Sequence, residues 1–169
     1  ILKIGIVGSE EATLKYAQIS TVDRKPIAGT FDFTFETDTK GNKVPKLTPT
    51  ADAKSVINYS FNYIEEAEDG GISPSSAPTY IHVAVPAGIY DELYVTLHDT
   101  NGGVMYATVK ADNNKPLAAG KVREFKKDEV EQLIKYTPIA NDVTVIKTKS
   151  DLTTWAANAA AQTVVLAND

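Results

Sequence analysis

The chain has 169 residues and a mass of 18.2 kDa, with 43% hydrophobic and 23% charged residues. That is the make-up of one folded domain, or of one domain plus part of another, and it excludes disordered and collagen-like chains. The net charge of −5, without a Lys/Arg cluster, argues against nucleic acid and anionic membranes as partners. The absence of cysteine excludes disulfides, thiol catalysis and zinc–thiolate sites.

The first segment, 1–7, reads as a strand already under way, and 14–20 as a second. Phe31, Phe33 and Phe35 alternate with Asp32, Thr34 and Glu36. This is the period-two pattern of a strand with one face on a core and one in water. A turn follows at 38–43. Ile57, Tyr59, Phe61 and Tyr63 continue the alternation, and 65–78, rich in Gly, Pro and Ser, reads as an exposed loop.

Three more strands follow: Ile81, Val83 and Val85; Leu93, Val95 and Leu97; Met105, Ala107 and Val109. Between the last two, neighbours must share a face. The pairing is therefore Leu97 with Met105, Val95 with Ala107 and Leu93 with Val109, which needs an odd loop with Gly102 in the left-handed region. The strands around Pro86–Gly88 are expected to pair as well, Ile81 opposite Leu97 and Val83 opposite Val95. A strand near 121–126 completes seven or eight, the spacing of an antiparallel sandwich. Phe33, Tyr59 or Phe61, Val83, Val95 and Ala107 should point inward.

The pattern then changes. Asp128 followed by Glu131 looks like an N-cap before Val130, Leu133 and Ile134, predicting a short helix at 129–136. Strands at 143–146 and 163–166 flank a helix capped by Ser150 or Asp151. A crossover of that length suits parallel pairing. The helix stripe of Leu152, Trp155, Ala156 and Ala159 must cover something apolar, so Trp155 should be largely buried. The open ends suggest a segment excised from a longer protein.

Little chemistry is legible. His82 and His98 should both lie on outer strand faces, without a third metal ligand. The acidic pairs Glu10–Glu11, Glu65–Glu66 and Asp91–Glu92 read as solvated charge. No phosphate loop, nucleophile elbow or zinc-protease motif is present. No catalytic, cofactor or metal residue is therefore assigned, and no cofactor is expected. The outward tyrosines Tyr94 and Tyr106 are the possible ligand-facing residues, since aromatic rings on a sheet face can stack on sugars.

One set of motifs, in order, is recognisable. Ile27-Ala28-Gly29-Thr30-Phe31 opens a strand. Val85-Pro86-Ala87-Gly88-Ile89-Tyr90 comes next, then Leu93-Tyr94-Val95-Thr96-Leu97-His98-Asp99 ahead of Gly102, and finally Ala119-Gly120-Lys121-Val122. Over roughly residues 14–126 this resembles the fimbrillin family of Bacteroidales, surface lipoproteins and pilus subunits. The resemblance implies an all-β, antiparallel transthyretin-like β-sandwich, here with a short C-terminal strand-helix-strand extension. It implies display at the cell surface, outside or anchored to the outer membrane, through a lipid anchor that lies outside this chain. It supplies no catalytic residues.

The expected organisation is a fimbrillin-like β-sandwich at 1–126, a short helix and connector at 127–142, and at 143–169 the start of a second module resembling the lead into a parallel β-helix. The expected function is that of a non-enzymatic module for cell adhesion or for fimbria or stalk assembly, with other surface or pilus subunits, a glycan or a host-surface ligand as partners. The alternative is a carbohydrate-binding module of a glycan-binding or glycan-degrading surface protein.

Overall fold

The computed structural model describes residues 1–8, 12–61, 71–100, 102–111, 116–137, 144–146, 148–157 and 164–166. In chain order the elements are β1 (Leu2–Val7), β2 (Leu14–Thr21), β3 (Phe31–Thr37), β4 (Lys43–Pro49), β5 (Val56–Ser60), β6 (Thr79–Val83), β7 (Gly88–Ile89), β8 (Glu92–Asp99) and β9 (Val104–Lys110). Then come β10 (Pro116–Leu117), β11 (Arg123–Glu124), β12 (Lys126–Lys127), β13 (Val130–Glu131), β14 (Leu133–Lys135), β15 (Thr144–Ile146), α1 (Lys149–Ala157) and β16 (Val164–Leu166). The fold is all-β, with one short helix among the described residues.

Two four-stranded sheets share one core. The first runs β5-β2-β8-β9, antiparallel throughout. Its inner face carries Ala17, Ile19, Leu93, Val95, Leu97 and Val109, all buried. Leu97 faces Met105, Val95 faces Ala107 and Leu93 faces Val109, and Gly102 has φ 84°, as face-matching requires. Asp99 fixes that turn by accepting the Gly103 N–H at 2.6 Å.

The second sheet is built on β1, whose Leu2, Ile4 and Ile6 are fully buried. On one side β1 pairs antiparallel with β6; on the other it pairs parallel with β11 and then β14. Two expectations are corrected here. The strands around Pro86–Gly88 do not pair: Ile81 faces Ile4 of β1, and Leu97 lies between Ala17 and Met105. The segment between them crosses from one sheet to the other, pinned by Tyr90, which is buried and donates its hydroxyl to the Pro86 carbonyl at 2.7 Å. His82 and His98 therefore sit on different sheets.

The helix expected at 129–136 is also absent. Asp128 and Glu129 both have positive φ, 51° and 63°, and form the turn of a small hairpin, β12–β13. This hairpin is an excursion between β11 and β14, closed by the Gln132 N–H donating to the Phe125 carbonyl. The sheet's claim on Ile134 and Tyr136, both in the core, outweighs the local capping signal. Ion pairs staple the excursion to β1. Lys3 Nζ lies 2.9 Å from Glu124, 3.8 Å from Glu131 and 4.1 Å above the Tyr80 ring. Tyr80 donates to Glu131 at 3.0 Å. Bonds first from Lys126 and then from Lys3 lower the Glu124 carboxyl to about 2.

β3 and β4 form a hairpin of their own, paired among the described residues with no other strand. Here a third expectation fails: Phe33 is 59% exposed, not inward. In the tail, β15 and β16 pair in parallel across α1, the arrangement that a crossover of this length suits. Trp155 is half-buried, short of the expected burial, and α1 has no fully buried residue. Ala159 and residues 65–70 of the 65–78 loop lie outside the described residues.

Candidate functional site

The outer face of the β5-β2-β8-β9 sheet follows from strand alternation. Because Ile19, Leu93, Val95 and Leu97 turn inward, their neighbours turn out. Tyr94 lies beside Ser20 and Thr108, and Tyr106 faces Thr96, which lies beside Gln18. Tyr94 and Tyr106 are therefore diagonal neighbours on adjacent strands, roughly 7–8 Å apart at their backbones. They are 49% and 44% exposed, so the sequence-predicted pair does form one surface. Beyond them Tyr16 stacks on His98, with ring centroids 4.0 Å apart and planes 15° apart. Gln18 Nε2 donates to Asn58 Oδ1 at 3.1 Å. The middle of this face carries rings, hydroxyls and amides, and its charged pair, Lys110 with Glu92 at 3.0 Å, lies at one end.

Next to that end is a cavity of about 170 Å³ that sequence reading missed. Val22, Asp23 and Lys25 line it from the β2–β3 connection, and Ile89, Tyr90, Asp91 and Glu92 from the lead into β8. Segments distant in sequence build it, so no local motif announces it. The Asp91–Glu92 doublet was the one visible signal. Its two carboxylates go to different cations: Asp91 to Arg123 at 3.3 Å, Glu92 to Lys110. Asp23 is bound by Lys25 at 2.7 Å, and that bond holds its carboxyl below the usual range. Burial raises the Tyr90 phenol.

Glu10–Glu11 and Glu65–Glu66 lie outside the described residues. Among the described residues no three His, Asp or Glu side chains gather where a metal ion could be held, and no helix is long and apolar enough to cross a membrane.

A second exposed surface, an apolar one, is one face of the β3–β4 hairpin. Register puts Phe31, Phe33 and Phe35 against Pro49, Leu47 and Pro45. Phe33 and Phe35 meet edge to face at 5.0 Å and are 59% and 61% exposed. The opposite face is polar, with Lys46 paired to Glu36.

The two edges of this hairpin are not equivalent. Proline has no N–H, so Pro45 and Pro49 occupy the pairs whose backbone groups point away from the partner strand. The N–H groups of Phe33 and Phe35 therefore point to the outer edge of β3. β4 lacks donors at two positions along its own outer edge. Compared with known proteins, this chain matches no family model, no curated protein and no solved structure.

Proposed function

We propose that this chain is a non-enzymatic module of a bacterial cell-surface protein. In this reading it acts in adhesion or in fimbria or stalk assembly by pairing main chain to main chain. The observation that carries the reading is the β3–β4 hairpin, with its donor-bearing β3 edge beside an exposed phenylalanine face. An extended strand from another surface subunit would add to β3 and lay apolar side chains beside Phe33 and Phe35. The resemblance to fimbrillins points to the same class of partner and to a transthyretin-like topology.

The test is Phe35→Pro in the full-length protein displayed on cells. It removes one outward donor of β3 and leaves the β3–β4 bonds in place. Loss of surface assembly or adhesion, with an unchanged unfolding temperature, is the expected result. Assembly equal to wild type would refute the reading.

A second reading, a carbohydrate-binding module, is favoured by one observation: the adjacent exposure of Tyr94 and Tyr106 on an uncharged stretch of sheet. Retention of defined glycans on an array by the purified chain, weakened by Tyr106→Ala, would support it; an array without hits would count against it.

A further inference from the structure

The recess beside the tyrosine face has a chemistry of its own, and the ligand assigned to it rests on the carbohydrate-binding reading. Its volume, about 170 Å³, is well below the ~300 Å³ at which drug-sized ligands begin to fit, so it takes a single ring. Its walls mix two aliphatic side chains, Val22 and Ile89, both substantially exposed, with the carboxylates of Asp23, Asp91 and Glu92.

Each of those carboxylates already has a cation: Lys25, Arg123 and Lys110 respectively. Lys25 also donates to the Ile89 carbonyl at 3.2 Å. The recess is thus charge-balanced and has no uncompensated charge for an ionic ligand. It still has hydrogen-bonding capacity: a carboxylate has about four acceptor sites, and even Asp23, which accepts the Lys25 backbone N–H at 3.4 Å besides its ion pair with Lys25 Nζ, does not fill them all. A ligand suited to such walls is neutral, rich in hydroxyls that both donate and accept, and apolar on one face. A pyranose ring has all three properties.

Position adds a second argument. Glu92, one of the lining residues, shares the outer face of β8 with Tyr94 two residues on, and Tyr106 lies one diagonal step further. We propose that the recess seats the terminal ring of a neutral glycan, whose following units lie across Tyr94 and Tyr106.

The test is a backbone-amide NMR titration of the whole chain with neutral monosaccharides (galactose, mannose, N-acetylglucosamine) and their disaccharides, with acetate and methylammonium as ionic probes. At least one neutral sugar should move the amides of Val22, Ile89 and Glu92, and the ionic probes should not. Asp23→Asn should weaken monosaccharide binding by about tenfold, the scale of one hydrogen bond to a charged group. Tyr94→Ala should weaken the disaccharide and leave the monosaccharide nearly unchanged.

Shifts confined to Tyr94, Tyr106 and their neighbours would overturn the recess and leave the carbohydrate reading standing. No shift with any sugar would overturn both. A response to acetate or methylammonium at the recess, without a response to sugars, would show an ion site and overturn the proposal.

Discussion

Tyr136 and Asp99 show how much one side-chain contact holds in this molecule. Both are buried, and the Tyr136 hydroxyl donates to Asp99 Oδ2 at 2.7 Å. Tyr136 follows β14 of one sheet and Asp99 ends β8 of the other, so this bond ties the two layers where the β8–β9 turn is also fixed. Tyr136→Phe takes a donor from a buried carboxylate and should cost about 1–3 kcal/mol in denaturant unfolding. Burial, and then the bond to Asp99, push the Tyr136 phenol far above its ordinary value near 10. A folded-state value above the unfolded one favours the fold fully below about pH 10, and the advantage disappears as pH rises further. Wild-type stability should therefore fall across the range above pH 10 by an increment that Tyr136→Phe lacks. Parallel alkaline curves for the two proteins would contradict this.

At the scale of elements, the hairpin β12–β13 makes the sharpest claim. Asp128 and Glu129 are both left-handed, a conformation that costs a side-chain-bearing residue roughly 1–2 kcal/mol and glycine far less. Glu129→Gly should thus raise the denaturant midpoint by an amount equivalent to about 1 kcal/mol; a lower midpoint would mean that the turn is not built this way.

The same segment shows where reading the sequence stops. Asp128 and Glu131 imitate a capping box, and nothing local reveals that β1 leaves an edge to be filled by 133–135. For β8 and β9 matching apolar faces was enough to set the register, but the same rule applied to β6 and β8 joined strands of different sheets, because shared alternation does not say which strands are neighbours. For β3 it gave the strand but not its surroundings: alternation distinguishes two faces and is silent on whether anything covers them, so Phe33 looked like core. β4 was hidden by Pro45 and Pro49, which are tolerated because their side of the strand pairs with nothing described. The tyrosine pair was legible for the same reason that β8 was, by period two. The recess was not, because Val22–Lys25 and Ile89–Glu92 meet only in the folded chain.

For the whole molecule, the core of the two sheets runs from Leu2 to Tyr136, while β15 and β16 pair only with each other among the described residues. The single tryptophan, Trp155, lies in α1, between β15 and β16 in the chain, so its fluorescence is the probe of that segment. Unfolding followed by tryptophan emission should precede unfolding followed by far-UV circular dichroism, which the sandwich dominates. Trp155→Ala should cost less than the ~3–5 kcal/mol of a fully buried tryptophan and leave the main transition in place. Coincident transitions by both probes would show one cooperative unit instead.

The pairing of β1 also has a consequence in time. This strand leaves the ribosome long before its partners, which are 79–83 on one side and 123–135 on the other. At about 5–20 residues per second, its second edge waits on the order of ten seconds for β14 to be made. Sheet-rich domains of high contact order fold in milliseconds to seconds once all their parts are present. Completion of the sandwich during synthesis is then limited by the arrival of the last strand, not by the search for the native arrangement. Through that interval β1 is an open edge, and Lys3, whose cationic end later settles between Glu124 and Glu131, is the charge that discourages a wrong neighbour from taking the place.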